Sequence, residues 1–236
     1  RSHKIEEEEK TVIAYHESGH ALVTHYDEDA EPLHKVTIIP RGQALGITLM
    51  LPEKDKHIHT RKQLMAQLRV TFGGRIAEEL FCGDVSSGAA QDIRQATAIA
   101  RAMVTEFGMS EKLGFLQLGL DDSRQPWEQS EKLYSEETAK LIDEEIKDII
   151  DRAYAQTREL LEAHRTQLRD LAETLLKHET LNSDEVDRVL NGQTLAKTTV
   201  GDLLQGEMDK ITPATTPPPA DDSLDHEAPG AMSSPA

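Results

Sequence analysis

The sequence predicts a mainly α-helical domain with a small β-hairpin or sheet and a C-terminal helical hairpin. Apolar residues recur at helical spacing over most of the first 190 positions, and only two short β-branched runs interrupt them. Good helix-starting residues stand ahead of several of the periodic stretches. With 4 Phe, 4 Tyr and 1 Trp, the core has to be built from Leu, Ile, Val, Ala and Met.

The first helix is expected over about residues 5–28. It opens with a run of Glu, which suits the positive end of the helix dipole, and turns apolar at Val12, Ile13 and Ala14. His34 to Pro40 and Gly46 to Leu51 contain Val-Thr-Ile-Ile and Gly-Ile-Thr-Leu-Met-Leu, two strand-like runs around a Pro-Arg-Gly turn. Helices follow at Thr60 to Cys82 and Ala89 to Phe107. Gly73 and Gly74 fall inside the first of them, where adjacent glycines permit a kink or a close helix approach. Gly108 to Glu131 reads as a long loop. Ser135 then caps a helix that runs to Ala163, with Ile142, Ile146, Ile149, Ile150 and Ala153 on one face. A further helix, Arg165 to Lys177, carries Leu168, Leu171, Leu175 and Leu176 and can pair with its predecessor as a hairpin. Ser183 begins a last short helix closed near Gly192. These elements form one domain, 1–195. Residues 196–236, rich in Pro, Ser, Thr and Asp, cannot bury enough apolar surface to order themselves and are expected to be a disordered tail.

Chemistry concentrates at residues 16–20, His-Glu-Ser-Gly-His. On a helix an i to i+4 spacing places His16 and His20 one turn apart on one face, where both imidazoles reach a single metal ion. Glu17 stands beside them, placed to take a proton from water activated by that ion. A hydrolytic zinc site needs a third protein ligand. His25 is turned away from that face, and the metzincin extension fails because Val23 and Tyr26 stand where Gly and His would be needed. A carboxylate from another helix remains, and two segments offer one: Glu78 and Glu79 in Gly-Gly-Arg-Ile-Ala-Glu-Glu, and Asp92 in Ser-Ser-Gly-Ala-Ala-Gln-Asp.

Several blocks occur in one order: H-E-S-G-H at 16–20, H-K-V-T-I-I-P-R-G at 34–42 with A-L-G soon after, G-G-R-I-A-E-E at 73–79, V-S-S-G-A-A-Q-D-I at 85–93 and A-R-A-M-V-T-E-F-G-M-S-E-K-L-G at 100–114. Together they resemble the protease domain of FtsH-type AAA zinc metalloproteases, densely from Glu7 to Gly119 and more loosely to Leu190. The resemblance implies a zinc endopeptidase with one Zn2+ per chain, held by His16, His20 and Asp92, with Glu17 as general base. It leaves Glu78 and Glu79 to orient a histidine or to form ion pairs. It implies that the strand starting at Gly46, with Ile47 and Thr48, binds an extended polypeptide substrate. Further implications are a homohexamer, ATP-driven degradation of unfolded or membrane proteins, and a membrane-anchored whole with this domain on the cytoplasmic side. The family commonly has Ala at the position of Ser18, whose hydroxyl can bond the carbonyl one turn back.

Composition narrows the alternatives. The chain has 26 basic against 43 acidic residues, a net charge of −17, which argues against a nucleic-acid surface. The single cysteine, Cys82, excludes an intrachain disulfide and a Cys-rich zinc site, and reads as a small buried side chain. No run approaches the roughly 18 apolar residues of a membrane helix. No G-x-x-x-x-G-K-[ST] occurs, so ATP would act only through a module outside this sequence. The expectation is a soluble, intracellular C-terminal portion of a larger machine. A non-catalytic assembly module and a stand-alone peptidase acting on small peptides are the competing readings.

Overall fold

The computed structural model describes residues 6–40, 45–51, 58–116, 118 and 134–195. The expected tail from residue 196 onward, and most of the expected loop from 108 to 131, lie outside the described residues. Among the described residues there are six α-helices: α1 (Glu7–Tyr26), α2 (Arg61–Phe81), α3 (Ala90–Thr105), α4 (Glu136–Ala163), α5 (Arg165–His178) and α6 (Ser183–Leu190). Three strands accompany them, β1 (Leu33–Thr37), β2 (Ile47–Met50) and β3 (Thr180–Asn182). The class is therefore mainly α with a small sheet. None of the described helices is long and apolar enough to cross a membrane.

α1 is the central element. Glu17 through Thr24 are buried without a break, so this stretch is enclosed all round, while the acidic first turn with Glu7, Glu8 and Glu9 faces solvent. α2 crosses α1 at backbone distance: a Cβ placed on Gly19 would lie 2.2 Å from the Gly73 carbonyl oxygen, and one on Gly73 would lie 2.6 Å from that of Gly19. Only a glycine on each helix permits this approach. The adjacent glycines thus serve close packing, and α2 runs through them as one helix started by a Thr60/Gln63 capping box. Leu22, Leu68 and Ile76 are fully buried in the core around this crossing, where each such side chain contributes about 1.5–3 kcal/mol.

α4 and α5 meet at His164, but each takes most of its packing from another partner, α4 from α2 and α3, α5 from α1. Of the stripes read from the sequence, Ile142, Ile146, Ile149 and Ala153 on α4 and Leu168, Leu171 and Leu175 on α5 are buried, while Ile150 and Leu176 are only partly so. Cys82 is half-buried at the end of α2, where its amide closes the helix on the Glu78 carbonyl, and so is less enclosed than expected.

The sheet is antiparallel with order β2-β1-β3. Val36 at its centre faces Thr48 on one side and Leu181 on the other. β3 is not expected from its residues. It follows Glu179, which ends α5 in the left-handed conformation (φ 60°), and it docks through a 2.7 Å hydrogen bond between the Thr37 and Thr180 hydroxyls. Among the described residues β2 has β1 on one side only, which leaves its other edge free for main-chain hydrogen bonds.

Candidate active site

His16 and His20 project from the same face of α1 with their Nε2 atoms 3.0 Å apart. Asp92, in the first turn of α3, brings Oδ2 to 3.2 Å from His16 Nε2 and 3.7 Å from His20 Nε2. These separations bracket about 3.3 Å, the ligand-to-ligand edge of a tetrahedral centre with bonds of about 2.0–2.1 Å. Both rings pack against bare backbone: a Cβ on Gly74 would sit 2.6 Å from Nε2 of both histidines and from Cε1 of His16, so any side chain there would push the imidazoles aside. Two imidazoles and one carboxylate so arranged can bind a metal, and they are the one such cluster among the described residues.

The outer nitrogens of the imidazoles are fixed as firmly as the inner ones. His20 Nδ1 lies 2.7 Å from the Val70 carbonyl, which can only accept, so Nδ1 carries the hydrogen and Nε2 turns its lone pair inward. His16 Nδ1 lies 2.7 Å from Glu78 Oε1. Glu78 is only 1% exposed and also holds Ser86, with Oε2 accepting from the Ser86 amide at 2.7 Å and Oε1 from the Ser86 hydroxyl at 3.1 Å. The Ser86 hydroxyl in turn accepts from the Gly88 amide at 3.0 Å, at the head of the short 3-10 turn Ser87–Ala89 that leads into α3. One carboxylate thus sets the ring of His16 and anchors the segment that delivers Asp92. Hydrogen bonds from His16 and Ser86 hold the Glu78 carboxyl below its usual range, although burial opposes them. Glu79 points elsewhere, to Tyr154 and Arg158 of α4.

Burial disfavours a charged His16, yet its hydrogen bonds to Asp92 and Glu78, with the charges of Glu17 and Asp92, outweigh that and push its pKa up to about 9. In the metal-free protein His16 keeps a proton at neutral pH, and a cation at these nitrogens must displace it. Because the folded value lies above the ordinary 6.5, this contribution to the metal-free fold is complete below pH 6.5 and is lost as pH rises through 9. Zinc affinity runs the opposite way. It is expected to tighten by about tenfold per pH unit across that window from His16 alone, and competition with a chelator of known pH behaviour would show it. A flat profile would mean that this nitrogen is not displaced of its proton.

Glu17, 7% exposed, lies beside the histidines with its carboxylate turned to β2. Oε2 accepts from the Thr48 hydroxyl at 2.6 Å, and a Cβ on Gly46 would come within 2.7 Å of Oε1. Gly46, Ile47 and Thr48, expected to contact substrate, line the same cleft of about 770 Å³ as His16, Glu17 and Asp92. Ser18, inside the motif, is fully buried, and among the described residues its hydroxyl has no hydrogen-bond partner; the bond it could make to the preceding turn is not made. Ser18→Ala should therefore raise stability by about 1 kcal/mol, seen as a higher thermal midpoint with unchanged metal binding.

Two helix-borne histidines, a carboxylate from a second helix and a buried glutamate beside them define a metallopeptidase-type centre. The model of peptidase family M41 matches residues 3–189, and the chain belongs to that family as an FtsH-type zinc metalloprotease domain. It is 47% identical over 194 residues to the ATP-dependent zinc metalloprotease FtsH 2 of Methylacidiphilum infernorum, covering 80% of this chain and 30% of that protein. It is equally 47% identical over 196 residues to the ATP-dependent zinc metalloprotease YME1 homolog of Caenorhabditis elegans, covering 82% and 27%. The ATP-dependent zinc metalloprotease FtsH of Bacillus subtilis is 41% identical over 206 residues, covering 86% and 32%. The chain thus spans about a third of the length of these relatives.

Proposed function

We propose that the domain is an endopeptidase that holds one Zn2+ per chain through His16, His20 and Asp92 and uses Glu17 as its general base. The observation that carries this reading is the convergence of three donor atoms, 3.0–3.7 Å apart, from two helices. Zinc, when bound, supplies Lewis-acid activation of water and of the peptide carbonyl. Glu17 takes the proton of the attacking water and passes it to the departing amine. The free edge of β2 beside Glu17 suits an extended polypeptide, which main-chain hydrogen bonds would hold with little selectivity for side chains; Gly46, Ile47 and Thr48 are the positions in contact. That these relatives are ATP-dependent zinc metalloproteases supports ATP-driven proteolysis by the whole protein. Family resemblance extends the reading to unfolded or membrane-derived polypeptides as substrates, a homohexamer, and a membrane-anchored whole with this domain on the cytoplasmic side.

The test is metal analysis and cleavage of denatured casein for the wild type, Asp92→Ala and Glu78→Ala. The wild type should carry zinc and cleave. Asp92→Ala should lose most of its metal, and Glu78→Ala should bind it about 10–100-fold more weakly because His16 and the Ser86 turn lose their anchor. Stoichiometric zinc in Asp92→Ala with complete loss in Glu78→Ala would move the third ligand to Glu78.

A further inference from the structure

Thr48 is placed where a substrate contact is expected, yet its hydroxyl is spent within the protein. Residues paired across antiparallel strands share a face, and the partner of Thr48 is Val36, which is wholly buried. Gly46, two positions before Thr48, shares that face by the pleat. Both therefore meet α1, and both meet it at Glu17. The Thr48 hydroxyl is 2.6 Å from Oε2 and 3.2 Å from the Glu17 carbonyl oxygen, and its single proton favours the nearer, charged acceptor. Oε1 lies against the bare Cα of Gly46. Among the described residues Thr48 is the one hydrogen-bond donor to this carboxylate.

We infer that Thr48 is a positioning residue for Glu17: its hydroxyl fixes the carboxylate's rotation, so the strand bordering the cleft also aims the base. The inference rests on the reading of Glu17 as general base. A carboxylate with one oxygen tethered and the other lodged against a glycine has few orientations left. Without the tether it turns freely about its last bond, and the fraction of time it faces the reacting water falls. Such a loss belongs to the catalytic step and not to binding, because Thr48 touches Glu17 through a group that an approaching polypeptide does not need.

The test uses the zinc-loaded chain with Thr48→Val, Thr48→Ser and Glu17→Gln, casein cleavage kinetics, metal analysis, and crystal structures of the wild type and Thr48→Val. Valine keeps the shape and removes the donor; serine keeps the donor. Thr48→Val is expected to retain zinc, to lose between about tenfold and a hundredfold in kcat with KM within about twofold, and to show Glu17 displaced from Gly46. Thr48→Ser should recover kcat to within about threefold of the wild type. Wild-type kcat in Thr48→Val, an unmoved Glu17, or a loss that serine does not restore would each overturn the inference. A Glu17→Gln variant that cleaves like the wild type would instead strike the assignment of the base, and the crystallographic comparison would still decide what Thr48 holds.

Discussion

Glu17→Gln is expected to bind zinc as the wild type does and to cleave denatured casein about 10²–10⁴-fold more slowly, the range that a positioned general base supplies. The variant is informative because little else changes. Glutamine has the shape of glutamate, its amide oxygen can still accept from Thr48, and the bare Cα of Gly46 leaves it the same room. What disappears is the capacity to take a proton from water and give it to the departing amine. The two histidines and Asp92 converge without any contribution from Glu17 in their mutual contacts, so metal content should not follow activity downward. Metal analysis alongside steady-state kinetics separates the two quantities. Activity near that of the wild type would remove Glu17 from the chemistry, whereas loss of zinc together with activity would place it among the groups that hold the ion.

The extent to which sequence alone exposes this site follows the range of each interaction. His16, Glu17 and His20 lie within two turns of one helix, and the 3.6-residue period is enough to bring them together. The helix boundaries are legible for the same reason, since caps such as Thr60 and Ser135 act on their own first turns. Asp92 is different. From the residues alone it competes with Glu78 and Glu79, and only the order of the surrounding blocks favours it. The structure shows why two of these acids are hard to rank: Glu78 reaches the same histidine as Asp92, but from behind, on Nδ1. The acceptor for His20 is the backbone carbonyl of Val70, and no choice of side chain at that position records it. β3 escapes for a related reason. Its three residues gain a strand's geometry only from β1, more than a hundred positions earlier, and Glu179 enters its left-handed turn without a glycine to mark it. The packing of α5 on α1 in place of an extended pairing with α4 is equally non-local, because a leucine stripe specifies a face to bury and not the helix that covers it.

Gly74→Ala is expected to leave the fold in place and to abolish zinc binding, while Gly73→Ala, one residue away, is expected to do its damage to the fold. In the interior of a helix alanine is favoured over glycine by about 1 kcal/mol, so two adjacent glycines in α2 imply a compensating requirement at each. At Gly73 the new methyl would meet the Gly19 carbonyl oxygen at 2.6 Å and the His20 amide nitrogen at 3.0 Å. Those are backbone atoms in the fully enclosed stretch of α1. They can move only if α1 and α2 separate, at a cost of about 1–3 kcal/mol or more from overpacking. At Gly74 the three nearest atoms are instead side-chain ones, Cε1 and Nε2 of His16 and Nε2 of His20, each at 2.6 Å. The imidazoles can swing aside, so the helix tolerates the change, but rings so displaced no longer aim both Nε2 atoms at one ion. Thermal unfolding and metal analysis of the two variants should therefore give opposite patterns: Gly74→Ala near the stability of the metal-free wild type but without zinc, and Gly73→Ala markedly less stable whether or not zinc is present. Stoichiometric zinc in Gly74→Ala would mean that the donor atoms converge on some other point, and the tetrahedral fit of His16, His20 and Asp92 would lose its support.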